Sequence, residues 1–251
     1  MMAVSASRLL ALIILLLATS VSAKPVLKLA ATEWAPYTSV TLASGGVASE
    51  LVTAAFNQVG YDVEVMVYPW QRAQHMVKQG VLDGMAIAWY TEERNLRMLY
   101  SRPYLKTEIV LLKHRSDLNT YGDEEMEGKL FAVMRGYGYL GSIPAKHYRT
   151  SVSDSLEQSL LMLGRKRVDL VLEERLQAHH KLALLPRIDR DKIHFGRSLE
   201  VRPLHLTISR GHPQHRQIID DFNRGLALLI ERGEYARILA NYEPAPLSVA
   251  D

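Results

Sequence analysis

The chain of 251 residues carries 30 Lys and Arg against 27 Asp and Glu, is 48% hydrophobic and contains no cysteine. That balance describes a folded globular protein, and it excludes disordered, collagenous and disulfide-stapled classes as well as thiolate catalysis and cysteine metal sites. The formal net charge of +3 is far from the basic excess that nucleic-acid binding needs.

At the N-terminus Arg8 precedes an apolar run from Leu9 to Ala18, followed by the small-x-small site Val21-Ser22-Ala23. The run is shorter than the roughly 20 apolar residues of a membrane-spanning helix, so residues 1–23 read as a cleaved secretory signal peptide. The remaining chain is long enough for two domains of about 100 residues each.

From Val26 onward, short β-branched runs alternate with amphipathic stretches, the pattern of an α/β protein with a mostly parallel sheet. Strands are expected over 26–32, 62–68, 83–88 and 108–113. Helices are expected over 46–59 and 70–79, each stopped by a glycine, with a short one near 91–95. A polar stretch over 114–125 then separates a second unit of similar plan, with strands over 129–134 and 168–172 and helices over 153–163 and 174–182. A strand over 205–209 and a long helix over 213–232 complete the chain.

Most enzyme templates are absent: there is no Gly-x-Ser-x-Gly, His-Glu-x-x-His or Walker motif, and no Cys/His zinc spacing. His179 and His180 are adjacent, so on a helix they diverge and read as solvated surface. Gly136-Tyr137-Gly138-Tyr139-Leu140-Gly141 matches a dinucleotide fingerprint, but Ser142-Ile143-Pro144 interrupts the helix that would hold a pyrophosphate. The segment reads instead as a ligand-contacting loop of exposed backbone N–H groups.

The aromatic residues are more informative. Trp34-Ala35-Pro36-Tyr37 follows the first strand, Trp70-Gln71-Arg72 the second, and Trp89-Tyr90 the third. Ligands of open parallel sheets bind outside the carboxyl ends of the strands, so all three tryptophans converge on one candidate cleft. Arg94 stands one turn after Thr91, which reads as an N-cap, at the same edge, and its planar fork matches a carboxylate.

Taken together and in order, Trp34-Ala35-Pro36-Tyr37, Gly80-Val81-Leu82-Asp83, Thr91-Glu92-Glu93-Arg94, Ser101-Arg102-Pro103-Tyr104, Gly128-Lys129 with Gly136, Arg167-Val168-Asp169 and Arg232-Gly233-Glu234-Tyr235 resemble bacterial extracellular solute-binding proteins of family 3, the polar amino-acid receptors of ABC transporters. The resemblance implies a type II periplasmic-binding fold: two α/β lobes joined by two crossing strands, with lobe 1 formed by 24–112 and 204–251 and lobe 2 by 113–203. It implies a periplasmic monomer that needs no cofactor, closes on a small-molecule solute and is read by an ABC permease in the inner membrane.

By position, Arg94 matches the family arginine that holds an α-carboxylate, Trp34 an aromatic that stacks on the ligand, and Gly136 to Gly138 a second-lobe loop that contacts the carboxylate. Glu174 falls where the family has an acid for the α-ammonium group. The chain departs from the pattern at Ala88-Trp89-Tyr90, where the family has small or hydroxyl residues. An amino acid or related carboxylate is the expected solute. Two further outcomes follow from the same fold: a similarity to cyclohexadienyl dehydratase, with Glu174 as general acid, and a soluble sensory partner of a membrane receptor.

Overall fold

The computed structural model describes residues 26–135 and 149–242; the expected signal peptide, and Gly136 to Gly138 of the glycine-rich loop, lie outside the described residues. The first unit opens with β1 (Val26–Ala31), the helix α1 (Val47–Asn57) and β2 (Asp62–Val67). The helix α2 (Trp70–Lys78), β3 (Gly84–Trp89), the short α3 (Glu92–Asn95) and β4 (Met98–Tyr100) follow. The long β5 (Leu105–His114) leads to β6 (Leu130–Met134), β7 (Arg149–Ser153), α4 (Leu156–Gly164) and β8 (Leu170–Glu174). After α5 (Arg175–Leu184) and the single turn α6 (Arg187–Arg190), the 17-residue β9 (Ile193–Ser209) returns, and α7 (His215–Glu231) and α8 (Glu234–Leu239) end the described chain.

These strands form one sheet in the order β2-β1-β3-β9-β5-β8-β6-β7, with β4 also on β9. β1 is parallel to β2 and β3, and β6 is parallel to β7 and β8. Each parallel group forms the sheet of one lobe. β5 and β9 are antiparallel to each other and pass through both: β9 pairs with β5 from His114↔Ile193 to Leu105↔Leu204, then with β3 from Trp89↔Leu204 to Gly84↔Ile208. The two lobes are therefore joined by two crossing strands of a continuous ladder.

The side-chain pattern explains each core. In the first lobe Leu27 and Leu29 of β1 pack against Leu51, Ala55 and Phe56 of α1, with Phe222 and Leu229 of α7 and Tyr235 of α8 closing the cluster. The opposite sheet face is covered by α2 through Ala73 and Val77, against Ala30 and Met85. In the second lobe β5 is apolar on both faces, as a strand covered on both sides must be. Val110 and Leu112 pack with Leu160 and Leu163 of α4, whereas Ile109 and Leu111 pack with Phe131 and Leu172.

Gly225 is required where α7 crosses α1, since a Cβ there would lie 2.0 Å from the Ala55 carbonyl oxygen. Gly46, with φ of 93°, makes the turn into α1.

Several boundaries differ from the sequence reading. β9 begins at Ile193 rather than near 205, because its first half carries little apolar alternation and is partnered on one side only, by β5. β7 and β4 were not expected. α4 starts at Leu156, because Ser155 accepts the Gln158 N–H and so forms the N-cap. β8 runs on to Glu174, which caps α5 instead of lying inside a helix. His179 is half-buried and stacks on Phe195 at 4.0 Å rather than facing solvent freely. No helix among the described residues is long and apolar enough to cross a membrane.

Candidate functional site

The carboxyl ends of β1 and β3, the start of α2 and the middle of β9 enclose a cavity of about 190 Å³. Three tryptophans furnish its apolar wall. Trp34 sits in a tight turn closed by Trp34 N–H to the Thr38 carbonyl at 2.8 Å, and its ring lies edge-on to Trp89 at 5.6 Å. Trp70 is the first residue of α2, placed there by Pro69 at the N-cap position. Trp89 ends β3, where its indole N–H donates to Thr107 Oγ1 at 2.9 Å. Ile87, Ala88 and Leu204 complete the apolar surface, and Thr32 and Thr91 add hydroxyl-bearing side chains.

Two guanidinium groups supply the charge. Thr91 caps α3 by accepting the Arg94 N–H at 3.2 Å, which fixes the backbone from which the Arg94 side chain reaches the cavity. One terminal nitrogen of Arg94 donates to the Trp89 carbonyl, and the guanidinium carbon lies 5.2 Å from the Trp70 ring centre. Its Nε is buried and has no hydrogen-bond partner among the described residues. A buried donor left unpaired costs about 1–3 kcal/mol, a cost that an anionic ligand removes. Arg202 of β9 lies over Trp89 at 4.9 Å, and its Nε is 3.3 Å from Glu200 Oε1.

Behind this cavity the lobes meet through buried polar contacts. Tyr37 is completely buried, stacks on Trp34 at 4.4 Å and donates its hydroxyl to Glu174 Oε1 at 2.9 Å. The Trp34 indole N–H donates to Gln177 Oε1 at 2.8 Å, and Gln177 N–H donates to Glu174 Oε2 at 2.9 Å. Leu176, on the same helix start as Gln177, joins the core of the first lobe.

Burial pushes the Glu174 carboxyl up to about 7, against the opposing pull of the hydrogen bonds from Gln177 and Tyr37. The Tyr37 phenol is raised well above its ordinary range by burial and by the carboxylate beside it. Nearby, Arg175 Nη2 donates to Glu108 Oε1 at 3.0 Å, and this bond holds Glu108 below the usual carboxylate range.

Of the expected site residues, Trp34, Trp70, Trp89 and Arg94 come together on the cavity wall. Tyr37 lies one layer behind it. Glu174 is 1% exposed and faces Tyr37 rather than the cavity. Tyr90 is exposed and packs on Tyr100 at 5.1 Å, and Arg72 lies on the outside of α2 over Tyr68 at 5.1 Å, so neither reaches the cavity. Gly136, Tyr137 and Gly138 lie outside the described residues.

Sequence reasoning missed Arg202 and Leu204, which reach the site from the middle of β9, just before the strand expected over 205–209. Among the described residues no cluster of three or more His, Asp or Glu could hold a metal ion.

No curated protein matches the chain. Among solved structures, the periplasmic VFT2 domain of BvgS from Bordetella pertussis superposes with a TM-score of 0.71 at 17% identity, covering 96% of this chain and 99% of that one. A histidine kinase sensor domain with similarity to periplasmic binding proteins gives 0.73 at 18% identity, over 90% and 97%. The GluR0 ligand-binding core from Nostoc punctiforme, in complex with L-glutamate, gives 0.71 at 17% identity, over 86% and 99%. At such identities the likeness speaks to the fold, the type II periplasmic-binding architecture.

The family model of bacterial extracellular solute-binding proteins, family 3, matches residues 28–245. With this match over most of its length, the chain belongs to the bacterial extracellular solute-binding proteins of family 3.

Proposed function

We propose that the protein is an exported receptor that encloses a small carboxylate between its two lobes, with Arg94 as the anchor, and presents the closed form to an inner-membrane partner. The observation that carries this reading is the Arg94 guanidinium on the wall of an aromatic cavity with its buried Nε unpaired. A guanidinium held at a fixed angle by the Trp89 carbonyl and the Trp70 ring is preorganised for a carboxylate. Residues 1–23 act as the export signal, 24–112 with 204–251 and 113–203 as the two lobes, save that Ile109 to Leu112 pack into the core of the second, and β5 and β9 as the hinge. An ABC permease is the partner we assign.

The dehydratase-like alternative requires an acid in contact with substrate. Glu174, the residue that would supply it, is enclosed between Tyr37 and the Gln177 amide and lines no part of the cavity, which favours binding over catalysis.

The test is a thermal-shift screen of the chain from Lys24 against amino acids, mono- and dicarboxylates, polyamines and oligopeptides, repeated with Arg94→Gln. A ligand that binds only the folded state raises the melting temperature. At least one carboxylate is expected to do so. Arg94→Gln should weaken it about 100-fold, the loss of two charge-assisted hydrogen bonds, and leave the unliganded melting temperature within about 2 °C. An undiminished affinity in the variant refutes the anchor.

A further inference from the structure

Resting on the reading above, we infer that the solute is a carboxylate with an aromatic or apolar body and no ammonium group, so that the site discriminates against α-amino acids. A zwitterion needs both signs of charge in its site. The cavity wall has two guanidinium groups, Arg94 and Arg202, and no carboxylate among the described residues.

The acids on the elements around the cavity do not line it: Glu33 accepts the Val40 N–H at 3.2 Å, Glu92 and Glu93 are exposed on α3, and three more are paired elsewhere. Glu174 accepts from Tyr37 and from the Gln177 amide, each at 2.9 Å. Glu108 is paired with Arg175 at 3.0 Å, and Glu200 with Arg202 at 3.3 Å. The chain outside the described residues does not supply the missing acid: residues 1–25 and 136–148 contain neither Asp nor Glu, and only Glu243 and Asp251, close to the C-terminus, remain.

The second way to hold an ammonium, against aromatic faces, is also preempted. Arg94 lies over Trp70 at 5.2 Å and Arg202 over Trp89 at 4.9 Å, while Trp34 is stacked on Tyr37. A third cation entering this cavity would be stripped of water beside two like charges, and desolvation without a counter-charge is the costliest way to bury an ion. The aromatic and aliphatic wall, by contrast, rewards an apolar body carried by the carboxylate.

Matched pairs test this by isothermal titration of the chain from Lys24: 3-phenylpropionate against L-phenylalanine, indole-3-propionate against L-tryptophan, and 4-methylpentanoate against L-leucine. Each pair differs only in the ammonium group. For at least one pair the deaminated member is expected to bind at least tenfold more tightly than the amino acid, with the binding lost in Arg94→Gln. An amino acid that binds as tightly as its deaminated counterpart, or more so, overturns the inference and leaves the receptor reading intact. A response confined to carboxylates without an apolar body, such as citrate, overturns it as well. Silence from every anion and every amino acid overturns the receptor reading and the inference together.

Discussion

Glu174→Gln isolates the energetic cost of the buried contact between the lobes. The carboxyl is 1% exposed, its ordinary value of 4.5 is raised to about 7 chiefly by burial, and its partner Tyr37 belongs to the other lobe. An acid whose folded-state pKa lies above its unfolded value binds its proton more tightly in the folded protein. The contribution to stability is therefore fully present below about pH 4.5, falls as pH rises toward 7, and is flat above. A shift of this size amounts to about 3 kcal/mol across the window.

The surroundings do not reverse the sign. Glu108 is held ionised by Arg175, the Tyr37 phenol stays neutral throughout, and Glu173 Oε1 accepts the Glu174 amide at 2.8 Å. Glutamine removes the ionisation and keeps one of the two acceptor oxygens; with that oxygen on the Gln177 N–H, its NH2 faces the Tyr37 hydroxyl, which can turn to accept, and any loss from this exchange is the same at every pH. Melting curves of both proteins at pH 5, 6, 7 and 8 span about 2.5 kcal/mol of that change and should show the wild type losing about 5–10 °C more than the variant, at about 2–4 °C per kcal/mol for a chain of this size. Parallel pH profiles would refute the reasoning, since the remaining titrating groups are common to the two.

Two other substitutions probe the architecture. Tyr37→Phe deletes the hydroxyl that bridges the lobes, and should cost about 1–3 kcal/mol in urea unfolding and raise the radius of gyration in small-angle scattering as the open form gains population; an unchanged radius with unchanged stability would deny the bridge. Gly225→Ala, a change that ordinarily strengthens a helix by about 1 kcal/mol, should instead destabilise by about 2–4 kcal/mol, because the added carbon meets the Ala55 carbonyl at 2.0 Å. A neutral or favourable effect on the urea midpoint would show that α1 and α7 part freely.

The elements that the sequence made legible are those whose burial imposes a strict period. Val63, Val65 and Val67 alternate on β2, and Ile218, Phe222, Leu226 and Leu229 mark one face of α7. What escaped was structure specified by pairing alone. The first half of β9 is ladder against β5, with side chains that are mostly polar or partly exposed, and its sequence has no reason to alternate. The exposed β7 is hidden for the same reason, whereas β4, apolar and packed on the cores, is too short at three residues to show a period.

At the site, the placement of aromatics after strand ends put Trp34, Trp70, Trp89 and Arg94 in one neighbourhood. It could not separate Trp89, turned inward by its bond to Thr107, from Tyr90, which alternation sends outward onto Tyr100. Nor does local sequence reveal that Glu174 faces Tyr37, 137 positions away.

Because β9 completes the ladder of both lobes, the order in which the chain is made has a kinetic consequence. β5 finds β8 once residues 170–174 exist, but β3 has no antiparallel partner until residues 204–208 do, and the helices that close the first core come later still; the Tyr242 hydroxyl bonds Glu50, 192 positions earlier, at 2.7 Å. Contacts of such sequence separation are slow to form, since long loops must be closed before they return any stabilisation. The N-terminal half of the molecule thus stays in a prolonged nascent interval, with its apolar strands uncovered, and depends on its last fifty or so residues to leave it. Deletions at the C-terminus should therefore be felt first at β1 and α1, at the opposite end of the sequence.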